Sequence, residues 1–252
     1  MCILFIAINQ HKDYPLVIAA NRDEFHPRPS KSAYFWDEQP SILAGQDLQA
    51  NGTWLGLNQH GDFSALTNIR GTNALNPKAK SRGELVKFAL QSSAHTNHDW
   101  LVANAKHYNP FNLIFTERGN LYCFNSKSLQ TNELSSGFHA ICNGAMDDVW
   151  PKMAKGEQLL EQLISEQQPL NPEHLFAIMQ DPTQAPDHLL PDTGVGLDWE
   201  RKLSSIFIKS SDYGTRSTSI ILKHVGGSVD FYEQSYTAQA EIFNKKQFAL
   251  AH

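Results

Sequence analysis

A cysteine at the second position is the residue of this chain best suited to do chemistry. The chain begins Met1-Cys2-Ile3-Leu4-Phe5, and the side chain of Cys2 is small enough for an aminopeptidase to remove Met1. Removal would leave a thiol and a free α-amine on one residue. Because an α-amine has a pKa of about 7.7–8.0, its neutral fraction can accept the thiol proton at neutral pH. The beginning of the chain therefore predicts a nucleophile that carries its own base.

Four polar residues follow the second apolar run and supply candidate partners for Cys2. A buried strand is predicted at 16–20, and Asn21-Arg22-Asp23-Glu24 comes directly after it. Residues 9–15 would join the two apolar runs as a hairpin, which places the end of the second strand beside the start of the first. Arg22 and Asp23 are thus expected near Cys2. The alternatives are that Cys2 is a small core residue and that the quartet is a solvated turn.

Composition narrows the possible classes of protein. The 252 residues are 41% hydrophobic with a formal net charge of −5. The sequence contains no stretch with the composition of a linker and no cluster of basic residues. We expect one domain over 1–252 that does not bind nucleic acid. No apolar run is long enough to cross a bilayer, and the start does not resemble a signal peptide. Three widely spaced cysteines indicate a reducing cytoplasm.

The remaining elements predict an α+β fold. Alternation and turn residues indicate strands at 2–8, 16–20, 53–58, 63–68, 112–116, 121–124, 138–142, 205–208, 217–222 and 229–234. Helices are predicted at 83–91, 99–107, 153–166 and 172–180, and a long irregular loop at 181–198. Antiparallel hairpins therefore dominate, with helices inserted in blocks, which favours two mostly antiparallel sheets covered by helices.

Several motifs together resemble one known family. They are Asn21-Arg22-Asp23-Glu24, Gly52-Thr53-Trp54-Leu55-Gly56, Ser81-Arg82-Gly83-Glu84-Leu85, Asp148-Val149-Trp150-Pro151-Lys152, Leu190-Pro191-Asp192-Thr193-Gly194 and Tyr213-Gly214-Thr215-Arg216-Ser217. In number and order they resemble the NRDE family, also called the Transport and Golgi organisation protein 2 family. The chain departs from the family pattern at Asn51, where the family usually has glycine, and at Ile141-Cys142-Asn143, where it usually has Leu-Ser-Asn.

The resemblance implies an Ntn-hydrolase-like fold, a four-layer αββα sandwich. Its relatives in fold include cysteine amidohydrolases that act on bile salts and on penicillin V. The family itself is associated with intracellular haem trafficking and lipid metabolism and has no settled reaction. Fold alone does not fix function, so two hypotheses are retained, and whether the chain is an enzyme stays open between them.

The carrier hypothesis comes first, because the family has no established reaction. In it the pocket around Cys2 binds haem, or a related amphipathic ligand, as cargo and needs no cofactor. Its expected ligand-binding residues are Asn21, Arg22, Glu24, Trp54, Arg82 and Arg216. Guanidinium groups would pair with propionates. The only partner expected is this small molecule, with a homodimer allowed, and no histidine or cysteine spacing indicates a metal site.

The second hypothesis is an N-terminal-nucleophile hydrolase that cleaves an amide or a thioester. Its catalytic residues would be Cys2, Arg22, Asp23, Asn143 and Arg216. Asp23 would stabilise the α-ammonium, Arg22 would favour the thiolate, and Asn143 would donate to the oxyanion. Arg216 would add a second cation. The structural alternatives are an Asn143-Gly144 turn, a surface ion pair at Arg216 and a core position for Trp54.

Overall fold

The computed structural model describes residues 2–36, 42–71, 75–91, 97–145, 148–166 and 169–251. Met1, on whose removal the hydrolase hypothesis depends, lies outside them. The chain forms two compact units. The first holds the chain up to Pro27, a short piece that begins at Arg70, and Ser136–Ala251; the second holds Arg28–Ile69 and the stretch that ends at Ser135.

Antiparallel strands make up most of both units. In the described residues the strands are β1 (Cys2–Ile8), β2 (Leu16–Phe25), β3 (Ser30–Phe35), β4 (Ile42–Asp47), β5 (Leu55–Asn58), β6 (Phe63–Asn68), β7 (Phe111–Glu117), β8 (Asn120–Asn125), β9 (Gln130–Glu133), β10 (Gly137–Ile141), β11 (Tyr213–Lys223), β12 (Val229–Tyr236) and β13 (Ile242–Leu250). The helices are α1 (Gly83–Gln91), α2 (His98–Asn104), α3 (Pro151–Ser165), α4 (Pro172–Met179) and α5 (Leu197–Leu203), with short 3₁₀ turns at Ala105–His107 and Asp187–Leu189.

The sheet of the first unit has the order β10-β1-β2-β11-β12-β13. All the pairings in it are antiparallel. Strand β1 is therefore flanked on both sides, and this fixes the beginning of the chain inside the sheet. Free chain ends fray unless they are tied down in this way.

Helices α3 and α4 cover one face of this sheet. Ile3, Phe5 and Ala7 of β1 share a buried core with residues of both helices, among them Met153 and Leu175. Helix α3 approaches so closely at Gly156 that a Cβ there would overlap the Phe5 ring. Side chains alternate between the faces of a strand. Cys2 therefore lies on the face opposite to that covered by α3 and α4.

The second unit contains the seven-stranded sheet β3-β4-β5-β6-β7-β8-β9. Helix α1 covers it with Leu85, Val86 and Leu90, which are buried in one core with Phe111. Asn51, where the family usually has glycine, adopts a φ of 55°. Asparagine tolerates this left-handed conformation better than most residues, so the departure from the family pattern preserves the turn.

The predicted α+β class is confirmed, as are both hairpins of the prediction that carry family motifs. Two local predictions were wrong. The second strand does not end before the Asn21 quartet but runs to Phe25, because β11 pairs with it along its whole length. No strand forms at 205–208, because Ser205 Oγ donates to the carbonyl of Phe207 in a local turn.

Other elements escaped the sequence analysis altogether. Strands β3, β4, β9 and β13 and helix α5 were not predicted. The single-domain assignment stays a prediction beside the two compact units. In the described residues, no helix combines the length and apolar character that crossing a bilayer requires.

Candidate active site

Three side chains line up across the sheet at the first residue of β1. Cys2 lies opposite Arg22 on β2, and Arg22 in turn lies opposite Ser217 on β11. Directly paired residues project from the same face of a sheet. All three are buried, with Cys2 7% exposed. The hairpin therefore does bring the quartet's arginine to the cysteine.

Asp23 is held by three groups of the adjacent strand and helix. Thr215 Oγ1 donates to Asp23 Oδ1 at 2.7 Å, and Tyr213 Oη donates to the Asp23 carbonyl at 2.9 Å. The ammonium of Lys152, which is buried and donates to the Leu203 carbonyl at 2.8 Å, favours the ionised carboxylate. Asp23 is 1% exposed, so the protein fixes this carboxylate in one orientation.

A β-bulge sets the direction of Arg216. Asp23 lies opposite Thr215 and Arg22 opposite Ser217, so Arg216 is the extra residue between two paired positions. Bulges re-aim a side chain and are frequent near active sites. Arg216 Nη1 donates to the carbonyls of His26 at 2.7 Å and Phe25 at 3.3 Å. It binds the end of β2 rather than a surface carboxylate.

Asn143 follows β10 on the other side of β1. Leu4 pairs with Ile141, and Cys142 shares the helix-covered core with Ile3. The next residue, Asn143, therefore falls on the same side as Cys2, and it is 1% exposed. Arg70 and Cys142 both approach its Oδ1, at 3.5 and 3.2 Å. The Nδ2 group of the same amide is therefore directed away from these two side chains.

Arg70, which belongs to a buried ion pair, holds the backbone of Asn143. The backbone N–H of Arg70 donates to the Asn143 carbonyl at 2.7 Å, and Arg70 Nη1 contacts Glu200 Oε2 at 2.8 Å with both side chains buried. Glu200 Oε1 accepts from the N–H and the hydroxyl of Thr193. The Arg70 guanidinium also lies 4.4 Å from the Trp150 ring. This network joins two of the quoted motifs, through Trp150 and Thr193, to one candidate catalytic residue.

Burial dominates the electrostatics of the cluster. It raises the pKa of the Cys2 thiol from 9.0 to about 11, and the Asp23 charge adds to this while Arg22 opposes it. Burial likewise raises the pKa of Asp23 and of Tyr213. Burial lowers the pKa of Arg216, and the nearby Arg22 cation lowers it further. At neutral pH the thiol is therefore protonated and needs a base before it can attack.

The other predicted ligand-binding residues have different surroundings. Asn21 Nδ2 donates to the carbonyls of Met179 and Ile206, and its Oδ1 accepts from Thr218, so its amide joins elements of the protein. Glu24 Oε1 accepts from the N–H of Phe25. Trp54 and Arg82 belong to the second unit. There the Trp54 ring covers Gly45 and Arg82 donates to the Pro110 carbonyl, and their ligand-binding role stays a prediction.

Sequence reasoning missed several residues of the cluster. Thr215, Tyr213 and Lys152 stood in quoted motifs but were given no role. Arg70 lies two residues beyond the buried strand β6, much as the quartet was thought to follow its strand, and that signal could have identified it. Glu200 could not have been found, because α5 was not predicted. In the described residues, no group of three or more histidine, cysteine or acidic side chains is arranged to hold a metal ion.

Comparison with known proteins identifies the family of this chain. Residues 1–238 match the family described as Transport and Golgi organisation 2. The chain belongs to this family. The Transport and Golgi organization 2 homologues of mouse and human are each 32% identical to it over 257 residues, covering 93% of both chains. The Drosophila melanogaster protein is 25% identical over 266 residues, covering 94% of this chain.

Solved structures show the fold of this family member. Penicillin V acylase from Agrobacterium tumefaciens aligns with a TM-score of 0.55 and 11% identity, covering 98% of this chain and 85% of the other. A variant of conjugated bile acid hydrolase from Clostridium perfringens aligns at 0.54 with 10% identity, covering 98% and 92%. The expected Ntn-hydrolase-like fold is therefore confirmed. At such low identity the likeness extends to the fold alone.

Proposed function

We propose that this chain is an N-terminal-nucleophile cysteine hydrolase that cleaves an amide bond once Met1 has been removed. The observation that carries the proposal is the placement of Cys2. It is fixed at the first position of a flanked strand, opposite Arg22, and the oriented carboxylate of Asp23 is near enough to act electrostatically on its thiol. A residue that served only to fill the core would not require a buried charged cluster, because burying charges costs free energy unless they are compensated.

Removal of Met1 supplies the base that the buried thiol needs. With Met1 attached, the nitrogen of Cys2 is an amide and cannot accept a proton, and the thiol pKa of about 11 keeps the sulfur neutral. The freed α-amine would take the Sγ proton, and Asp23 would stabilise the resulting ammonium. This is how one residue can serve as both nucleophile and base.

The proposed reaction has two halves. Sγ attacks the carbonyl carbon, and the carbonyl electron pair moves to oxygen, where Asn143 Nδ2 donates to the oxyanion. The intermediate collapses, the C–N bond breaks, and the leaving nitrogen takes the proton from the α-ammonium. Water then gives a proton to the α-amine and attacks the thioester. This releases the carboxylic acid and returns the proton to Sγ.

The relatives in fold support an amide as the scissile bond. Two of them are an acylase and a hydrolase of conjugated bile acids. The carrier hypothesis came first in the sequence analysis. We reverse that order, because the paired Cys2 and Arg22 and the oriented Asp23 carboxylate are groups that a pure carrier has no need to assemble.

The test combines intact mass with turnover of N-acyl p-nitroanilides. Protein that lacks Met1 is expected to release p-nitroaniline and to carry a transient acyl adduct on Cys2. Cys2→Ala should abolish both, whereas Cys123→Ala, which removes another buried thiol, should abolish neither. Full turnover by protein that retains Met1, or by Cys2→Ala, would refute the mechanism.

The carrier hypothesis keeps one specific observation in its favour. The thiol is neutral while Met1 is attached, so such a chain could bind haem or another amphipathic anion through Arg22 and Arg216 without reacting with it. Titration with haem, followed by its Soret band, tests this second candidate. Saturable binding that survives Cys2→Ala, together with no turnover of any amide probe, would favour the carrier over the hydrolase.

A further inference from the structure

Three aromatic rings meet where β2 ends and β11 begins. The Phe25 and Tyr213 rings are 5.1 Å apart, Trp199 and Tyr213 are 5.6 Å apart, and Phe25 and Trp199 are 6.2 Å apart, all edge to face. Tyr213 is buried, Trp199 is half-buried and Phe25 is 49% exposed. We call these three rings the aromatic surface. Its buried side is formed by Tyr213, and its open side presents apolar area of Phe25 to solvent.

The aromatic surface adjoins the candidate active site at two points. Tyr213 Oη donates to the Asp23 carbonyl at 2.9 Å, so the buried ring is tied to the residue that follows Arg22. The carbonyl of Phe25 accepts from Arg216 Nη1 at 3.3 Å. An apolar group lying on Phe25 would therefore be near both the reactive cluster and a cation.

Arg216 has donor capacity that the protein does not use. Within the described part of the chain it forms no ion pair, and its Nε is buried with no hydrogen-bond acceptor. The buried hydroxyl of Ser217, the next residue, likewise has no partner in that part. Buried polar groups in native proteins are nearly always paired, so two such groups in sequence point to an acceptor brought by a ligand. A guanidinium favours a carboxylate for this purpose.

From these observations we infer that the substrate is an amphipathic carboxylate, a fatty-acyl amino acid, whose chain lies on the aromatic surface and whose carboxylate pairs with Arg216. The inference rests on the proposed function, because it names the substrate class of the same site. An amide in such a molecule lies between an apolar chain and a carboxylate. Both ends of such a molecule find a partner at the end of β2, the chain on Phe25 and the carboxylate on Arg216, next to the strand positions that surround Cys2.

Binding is measured by calorimetry on Cys2→Ala protein, so that no probe is cleaved. N-lauroylglycine, kept below its micelle-forming concentration, is compared with N-acetylglycine and with the neutral amide of N-lauroylglycine. We expect the long-chain carboxylate to bind about tenfold or more tighter than either comparison molecule, since apolar burial and charge pairing both contribute.

Variants separate the two parts of the site. Phe25→Ala should weaken N-lauroylglycine about tenfold, as truncation of an aromatic contact does, and leave N-acetylglycine unaffected. The matched control is Phe35→Ala, because Phe35 is 47% exposed on β3 of the other unit. Arg216→Gln should abolish the preference for the carboxylate over the neutral amide. Arg118→Gln, at an exposed arginine in the turn between β7 and β8 of the other unit, should preserve it.

The possible outcomes distinguish this inference from the proposed function. If N-lauroylglycine binds as expected but no amide is ever cleaved, the hydrolase proposal fails and the ligand class stands. If short p-nitroanilides are cleaved but binding depends on neither chain length nor Phe25, the inference is overturned and the hydrolase stands. Equal weakening by Phe25→Ala and Phe35→Ala would show detergent-like adsorption and would also overturn it.

Discussion

At the scale of single residues, the candidate site contains a buried carboxylate whose ionisation is unfavourable. Asp23 is 1% exposed, and its burial raises its pKa. The folded state therefore favours the protonated form more than the unfolded state does. The corresponding stability is fully present below the unfolded pKa and is lost as the pH rises through the folded pKa. At neutral pH an ionised Asp23 lowers the free energy of unfolding.

Asp23→Asn is therefore expected to stabilise the protein while it abolishes turnover. The amide keeps an oxygen that can accept from Thr215 but removes the buried charge. The gain in the free energy of unfolding at pH 7 should be about 1–2 kcal/mol, the usual size of a stabilising substitution. The gain should shrink toward pH 4. Urea unfolding at both pH values measures it. Asp187→Asn, at an exposed ion pair with Arg201, should change nothing, and a less stable Asp23→Asn at pH 7 would contradict the argument.

The residue scale also shows what the sequence could reveal about the site. Cys2, Arg22 and Asp23 were predictable as neighbours because a hairpin with two unambiguous apolar runs fixes its own register. The direction of Arg216 was not predictable, since it depends on a bulge that only the pairing with β2 reveals. Arg70 and Glu200 come together across 130 positions of the chain. No local pattern encodes a contact of that kind.

At the scale of elements, α5 and the loop before it are attached to the site by one carboxylate. Glu200 pairs with Arg70 and accepts from Thr193. Arg70 in turn holds the backbone carbonyl of Asn143. A buried ion pair contributes little net stability compared with an apolar pair, but removing one partner leaves the other charge buried and uncompensated. What the pair does here is positional, because it connects Asn143 to the loop before α5.

Glu200→Gln should therefore cost both stability and rate. An uncompensated buried Arg70 is expected to lower the free energy of unfolding by about 3–5 kcal/mol, and turnover should fall through kcat because Asn143 loses its support. Urea unfolding and steady-state kinetics measure the two effects. Asp198→Asn on the same helix, where the side chain is 89% exposed, is the control. Wild-type stability in Glu200→Gln would show that the pair is not coupled to the fold as the contacts indicate.

Elements also differ in how readily the sequence revealed them. Strands β1 and β6 were predicted with the observed bounds, β1 because it is an uninterrupted apolar run and β6 because the turn at 59–62 marks where it begins. Strand β13 was missed because most of its side chains are exposed and it carries two lysines in succession, so no apolar alternation marks it. The polar quartet lies within β2 rather than after it, because side chains of β11 and the backbone beyond α4 satisfy its polar atoms.

At the scale of the whole molecule, each unit encloses a thiol that the folded state keeps protonated. Burial raises the pKa of Cys2 to about 11 in the first unit and that of Cys123 to about 12 in the second. Both thiols ionise near their ordinary value of 9.0 once the chain unfolds. Each unit therefore carries its own source of alkaline instability.

The sign of the pH effect follows from which state holds the proton. For a group whose pKa is raised on folding, the stability is fully present below the unfolded pKa and is lost as the pH rises through the folded one. For Cys2 this window runs from 9.0 to about 11, and a shift of this size corresponds to about 3 kcal/mol. The free energy of unfolding should therefore fall steadily across this range.

Cys2→Ala should flatten the fall for the first unit, and Cys123→Ala should flatten it for the second. Urea unfolding between pH 8 and pH 11 measures this, and an equally steep fall in the double variant would show that other groups, such as the buried Tyr213, carry the alkaline transition instead.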